Sequence, residues 1–139
     1  MFIMDNDLIE VKVYYKKAGH RYVAYTEKDF DKAVIDAEEK KKYTTLSVKL
    51  YEMNWGMYNE LQETAMVENT QGDRQFNFKI YKENRLKKLL KEWDAVSPKD
   101  SKPVPINEKS IGMLSPSVAE AILKAYDDEA FLTEEEEKK

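Results

Sequence analysis

The sequence predicts an α+β protein in which a small N-terminal antiparallel β-sheet carries one helix and is followed by a mainly α-helical bundle. Three observations support this prediction. Apolar and polar residues alternate over residues 8–26 and 44–53, as they do in half-buried strands. Further along the chain, apolar residues recur at intervals of three and four, which is the period of an amphipathic helix. The composition contains 36% charged residues, which agrees with a large exposed helical surface.

The chain of 139 residues is predicted to form one domain over residues 1–132. Its β/α portion would span about residues 1–52 and its helical portion about residues 53–132. The segment SPKDSKPVP, residues 97–105, contains three of the four prolines and cannot continue a helix. Only two helices are predicted after it, so this part should pack on the rest rather than form its own core. The acidic residues 133–139 are predicted to be a disordered tail.

The predicted sheet begins with a β-hairpin around a turn at Ala18–Gly19, and a third strand follows. In each strand the apolar residues occupy alternate positions, so one side of the sheet is apolar. These positions are Ile9, Val11 and Val13 in the hairpin and Leu46, Val48 and Leu50 in the third strand. Thr26 is a suitable N-cap for the one helix of this portion. That helix would bury Phe30, Ala33, Val34 and Ala37.

The helical portion is predicted to begin with a helix capped by Asn54. Its buried face would consist of Trp55, Tyr58, Leu61 or Gln62, and Ala65. We expect Trp55 to pack its indole into the core, so that Trp55→Ala would cost about 3–5 kcal/mol. Gly56 would allow a neighbouring segment of chain to approach closely.

A turn-rich loop around Gly72 is predicted to lead to a helix that ends at Trp93. The buried face of that helix would consist of Leu86, Leu89, Leu90 and Trp93. A short helix capped by Asn107 and a final helix with Ser115 as N-cap and Pro116 as its first residue follow. The final helix would bury Val118, Ile122, Ala125 and Tyr126. The predicted structural anchors are Trp55, Gly56, Trp93, Ser115 and Pro116.

The composition argues against several kinds of chemistry. There is no cysteine, which excludes disulfides, thiol catalysis and the usual structural zinc sites. The single histidine, His20, falls in the predicted hairpin turn, which is a poor place to bury a catalytic base. Glu60 and Glu63 lie on the polar side of a helix, and the four glycines are too far apart for a phosphate-binding loop. We therefore expect no catalytic, cofactor-binding or metal-binding residues, and we expect that the protein is not an enzyme.

Charge is distributed unevenly along the chain. Residues 74–91 contain seven basic residues and one acid, whereas residues 127–139 contain seven acids and two lysines. The two stretches could meet within one molecule or between copies of a homo-oligomer, or they could be two solvated faces. The basic stretch interleaves aromatic residues with Lys82, Arg85 and Lys88, a pattern that also occurs in nucleic-acid-binding surfaces. A pI of 5.2 counts against that interpretation, and the same aromatic residues could face a core.

Three segments follow one another along the chain: TTLSVKLYEMNWGMYNELQETA, then RLKKLLKEWD, then KPVPINEKSIGMLSPSVAEAILKAYD. This order resembles the tail assembly chaperones of long-tailed bacteriophages over residues 44–132. In that family a strand leads through an Asn-Trp-Gly type of turn into a helix. A helix ending in a tryptophan, a Pro-Val-Pro connector and a Ser-Pro helix start come after it. The matching residues are Asn54, Trp55, Gly56, Leu89, Leu90, Trp93, Asp94, Pro103, Val104, Pro105, Asn107, Leu114, Ser115, Pro116, Val118 and Ala119.

The resemblance implies transient binding to a phage tape-measure protein and to tail-tube subunits in the host cytoplasm, without nucleotide hydrolysis. A groove of adaptable methionines, Met53, Met57, Met66 and Met113, would suit varied partner helices, although the same residues could simply fill the core. A virion structural protein of the tail or head–tail connector is the first alternative. A nucleic-acid-binding regulator that uses the basic helix 74–91 is the second. No apolar run approaches the length needed to cross a membrane.

Overall fold

The structure is a computed structural model that describes residues 7–130, so the predicted acidic tail at 133–139 lies outside the described residues. Strands and helices are mixed along the whole of this range. In chain order they are β1 (Leu8–Ala18), β2 (Arg21–Thr26), α1 (Glu27–Lys32), α2 (Ala37–Lys40), β3 (Thr44–Tyr51), α3 (Trp55–Thr64), β4 (Met66–Glu68), β5 (Arg74–Phe76), α4 (Phe78–Leu89), β6 (Leu90–Trp93), α5 (Glu108–Gly112) and α6 (Pro116–Ala130).

Four strands form the main sheet in the order β2-β1-β3-β6, and every neighbouring pair is antiparallel. The predicted hairpin is confirmed: β1 and β2 are joined by a two-residue turn in which Gly19 has a φ of 66°. Glycine adopts this left-handed conformation at little cost. The predicted apolar side of the sheet is confirmed by the buried residues Val11, Val13, Leu46, Val48 and Leu50.

Helix α6 packs against β1 and β2 and closes the core. Its predicted stripe is confirmed, because Val118, Ile122, Ala125 and Tyr126 are all buried. The predicted first residue, Pro116, is also confirmed. The hydroxyl of Tyr126 donates to the carbonyl of Tyr51 at 3.1 Å and accepts from the N–H of Met53 at 3.1 Å. This pair of bonds ties the middle of α6 to the segment that leaves β3.

The predicted mainly helical bundle is not confirmed, because the second portion also contributes strands. Strand β6 pairs with β3 in the main sheet, and β4 and β5 form a separate hairpin around Gly72, where a plain loop was expected. The helix expected to reach Trp93 ends at Leu89. From Leu90 the chain is extended and pairs with β3. This pairing satisfies backbone N–H and C=O groups of β3 that would have no partner if β3 were the edge strand.

The single helix predicted after Thr26 is wrong, since two short helices, α1 and α2, take its place. Thr26 does cap α1, but Ala33 is already extended, and Asp36 caps α2. Val34 lies between them and is fully exposed. Phe30 is the buried residue of α1, and it stacks on Tyr14 with ring centroids 4.4 Å apart. One buried aromatic ring on the sheet therefore takes the place of a continuous apolar helix face.

Candidate protein-binding surface

Helix α3 buries one side and exposes two aromatic rings on the other. As predicted, the side chain of Asn54 caps it by accepting from the N–H of Met57 at 2.9 Å. Leu61 is buried and Met57 packs on the core. Trp55 and Tyr58, by contrast, are 75% and 41% exposed.

The prediction that Trp55 packs into the core is therefore wrong. Successive side chains of an α-helix point about 100° apart around the helix axis. Trp55 and Met57 therefore point about 200° apart, to opposite sides of α3. The close-approach role predicted for Gly56 is also wrong. A methyl group at that position would meet only the Asn54 side-chain oxygen, at an ordinary 3.5 Å.

The rings of Trp55 and Tyr58 lie nearly parallel, with centroids 5.9 Å apart and 19° between their planes. We call these two residues the aromatic pair of α3. Exposed tryptophan and tyrosine are enriched among the residues that dominate protein–protein binding energies, because they bury a large area on association and lose little entropy. The aromatic pair is the strongest candidate binding feature in the described residues.

The four methionines predicted to form a groove lie in different surroundings. Met53 and Met57 pack against the core, and Met66 is half-buried in β4. Met113 is 76% exposed and borders a shallow depression of about 530 Å³ between the hairpin turn and the start of α6. The first two residues thus fill space in the interior, which is the alternative that the sequence left open.

The three basic residues predicted to bind a partner or a nucleic acid are each paired with a carboxylate. Lys82 contacts Glu120 at 2.7 Å, and Lys88 contacts Glu60 at 2.6 Å. Arg85 pairs with Asp127. The Lys82 and Arg85 contacts join α4 to α6, and the Lys88 contact joins α4 to α3.

Arg85 is the least exposed of these residues, at 7%. Its guanidinium lies 5.6 Å from the ring centres of both Tyr81 and Tyr126. Its Nε atom is buried without a hydrogen-bond partner in the described part of the chain. A buried arginine held in this way positions α4 against α6, which the sequence signalled only through the opposite charges of the two stretches.

The titratable residues that the sequence disfavoured as catalytic groups are exposed, and the predicted anchor Trp93 makes a structural hydrogen bond. His20 is exposed at the hairpin turn, and Glu60 and Glu63 are exposed on α3, where Glu63 contacts Arg74 at 2.6 Å. The indole N–H of Trp93 donates to the carbonyl of Val104 at 2.7 Å, which holds the proline-rich segment against the end of the sheet.

The hydroxyl of Ser115 lies 3.0 Å from that of Ser117, while its carbonyl accepts the first helical bond from Ala119 at 2.9 Å. Ser115 is thus placed at the start of α6, as predicted. Within residues 7–130, no three His, Cys, Asp or Glu side chains are grouped so that they could hold a metal ion. Over the same residues, no helix has both the length and the apolar character to cross a membrane.

Ion pairs of Asp29 and Glu39 attach α1 and α2 to the rest of the molecule. Asp29 contacts Lys124 of α6, and the hydrogen bond from Lys124 lowers the pKa of Asp29. Glu39 contacts Lys16 of β1 at 2.8 Å and Lys42 at 2.9 Å. Hydrogen bonds from Lys16 and then Lys42 lower the pKa of Glu39 from 4.5 to about 2. Burial raises the pKa of Tyr126, the residue that bridges α6 and β3.

A comparison of the chain with known protein families, curated proteins and solved structures found no match in any of the three.

Proposed function

We propose that this protein acts without bond-making chemistry, as a phage tail assembly chaperone-like protein that binds other polypeptides through the aromatic pair of α3. The exposure of Trp55, at 75%, is the observation that carries the proposal. A tryptophan and a tyrosine left in contact with water offer a large apolar area that a partner can bury. Among the eight large apolar residues exposed in the described part of the chain, these two lie side by side with stacked rings, and adjacent exposed apolar groups favour a partner that covers them.

The resemblance to tail assembly chaperones supports a choice of partner. It implies a tape-measure protein, whose long helices carry exposed apolar seams, and tail-tube subunits, both met in the host cytoplasm. A helix that lies across α3 would pack its apolar side chains on the rings of Trp55 and Tyr58. The exposed Asn59 and the half-buried Gln62, one turn further along the same side of α3, could then bond to its polar groups.

The pairing of the basic residues favours protein binding over nucleic-acid binding. Lys82, Arg85 and Lys88 each contact a carboxylate of the same chain. A phosphate backbone would have to displace those carboxylates before it gained the same cations. These ion pairs make the three cations less available to a phosphate backbone, which supports the protein-binding proposal.

The test is co-expression of the full chain with the tape-measure protein of the same genome. We expect the two proteins to co-purify and the tape-measure protein to stay soluble. The double variant Trp55→Ala/Tyr58→Ala should weaken binding by about 30-fold, as loss of a 2 kcal/mol hot spot does. Phe78→Ala is the matched control, because Phe78 is 72% exposed but lies on α4. Equal binding by the double variant and the control would rule out the aromatic pair as the binding site.

The first alternative, a virion structural protein, predicts a different location. Mass spectrometry of purified particles should not detect a chaperone, whereas a component of the tail or head–tail connector would be present in each particle. Detection in stoichiometric amount would replace the chaperone proposal with this alternative.

A further inference from the structure

Strand β1 is longer than the neighbour on one of its sides. It pairs with β3 from Leu8 to Tyr15, but β2 pairs with it only from Val13 to Ala18. Residues 8–12 therefore have a strand on one side only within the described part of the chain. At about 3.3 Å per residue, this open edge is about 16 Å long.

The register shows which backbone groups lie on the open side. The N–H of Glu52 donates to the carbonyl of Asp7 at 2.7 Å, so Asp7 is hydrogen-bonded to the β3 side. Backbone groups in an antiparallel strand alternate in direction, so Ile9 and Val11 also bond towards β3. The N–H and C=O groups of Leu8 and Glu10 must then point away from β3, into the open side.

A groove of about 460 Å³ lies along this edge. The start of α1 forms one wall, and the last turns of α6 form the other. Its charged lining residues are Glu10, Lys12, Glu27, Lys28, Asp128 and Glu129. The groove borders residues 10–12 of β1 and Thr26, where β2 ends, so an extended segment placed in it could pair with β1 as a neighbouring strand.

The charge of the groove selects among occupants. Four carboxylates line it, against two lysines. The chain's own residues 131–139 follow directly after α6, but they contain four glutamates against two lysines, and this negative balance disfavours them here. A second copy that paired edge to edge would bring the same carboxylates together. A segment rich in lysine or arginine fits the charge best.

We propose that the open edge of β1 binds an extended, basic segment of a partner polypeptide as an added strand. Main-chain bonds from Leu8 and Glu10 supply the pairing, and the carboxylates of Glu27, Asp128 and Glu129 receive the partner's cations. This site is separate from the aromatic pair of α3 and does not depend on the function proposed above.

The test uses two labelled synthetic peptides, one of alternating valine and lysine and a matched one of alternating valine and glutamate. Their binding to the full chain is followed by fluorescence anisotropy. We expect the lysine peptide to bind and the glutamate peptide not to bind. Amide hydrogen exchange should slow at Leu8 and Glu10 when the lysine peptide is added.

Two variants of one residue separate the backbone from the side chain. Glu10→Pro removes the outward N–H but no bond to β3, which an edge strand tolerates, whereas Glu10→Ala removes only the carboxylate. We expect Glu10→Pro to bind the lysine peptide about three- to tenfold more weakly than Glu10→Ala does. This loss of affinity corresponds to the net free energy of about one hydrogen bond. Circular dichroism checks that both variants are folded, and if Glu10→Pro is not, the exchange measurement on the unaltered chain decides.

Three outcomes would overturn the proposal. The first is no binding of the lysine peptide, or no change in exchange at Leu8 and Glu10. The second is binding that appears only after residues 131–139 are removed, which would show that the chain covers its own edge. The third is a concentration-dependent dimer in sedimentation that the lysine peptide does not dissociate, which would make a second copy the occupant.

Discussion

At the scale of single residues, Trp55 and Leu61 show how position on α3 decides the role of an apolar side chain. Both residues belong to the same short helix, yet Trp55 is 75% exposed and Leu61 is 1% exposed. The free energy of burying a side chain depends on the area removed from water, so the smaller residue contributes more to stability here.

The first prediction follows from this difference. Trp55→Ala should lower the free energy of unfolding by less than about 1 kcal/mol, because an exposed side chain loses little on truncation. Leu61→Ala, the matched control on the same helix, should lower it by about 2–5 kcal/mol. Urea unfolding of both variants measures the two values. A loss above about 3 kcal/mol for Trp55→Ala would show that the indole is buried in solution.

At the scale of elements, α2 is held by its caps and ion pairs rather than by a buried face. None of its residues is buried. Asp36 caps it, and Glu39 joins it to Lys16 on β1. A four-residue helix is not stable by itself, so these contacts must hold it in place.

The second prediction concerns the pH dependence of this attachment. The pKa of Glu39 is lowered to about 2 in the folded protein. Because the folded pKa lies below the unfolded value, the stabilisation is complete above about pH 5 and is lost as the pH falls towards 2. Glu39→Gln should therefore be less stable than the unaltered protein at pH 7, and most of this difference should be lost when the pH has fallen to about 2.

Thermal unfolding at several pH values measures this difference. Glu38→Gln is the control, because it removes a charge from the same turn but not the contact with Lys16. A difference between Glu39→Gln and the unaltered protein that is the same at pH 7 and pH 2 would contradict the assigned role of Glu39.

At the scale of the whole molecule, α4 and α6 are joined through Arg85, although they are far apart in sequence. The arginine is buried at the contact, whereas the side chain of Asp127 is 44% exposed. Removal of Arg85 and removal of Asp127 should therefore have different effects on stability. Without Asp127 a cation remains buried without a partner, but without Arg85 the carboxylate can be hydrated.

The third prediction is that Asp127→Asn destabilises the protein more than Arg85→Met does. Asp127→Asn should cost about 1–3 kcal/mol, a value reduced by the partial exposure of the pair. Arg85→Met should cost less than about 1 kcal/mol, because methionine fills the space between Tyr81 and Tyr126 without a charge. Chemical denaturation of both variants compares them. If Arg85→Met is the more destabilising change, the stacking of the guanidinium on the two rings outweighs its desolvation.

Local signals in the sequence were sufficient for elements that depend on neighbouring residues. The turn at Gly19, the caps at Thr26, Asn54 and Asn107, and the start of α6 at Pro116 were all predicted correctly. Each depends on the preferences of a few consecutive residues for particular dihedral angles or side-chain hydrogen bonds. The β-strands with one buried side were predicted equally well, because their apolar residues recur at every second position.

Features that depend on distant contacts were decided only by the tertiary structure. Leu90–Trp93 has a helical pattern but forms a strand, because β3 offers an edge that needs a partner. The aromatic pair of α3 and the open edge of β1 are surfaces only because no described element covers them, and no local pattern carries that information. The sequence by itself therefore determined the turn of the first hairpin, several helix caps and which strand faces are apolar. Long-range packing determined which apolar groups and backbone edges remain open to a partner.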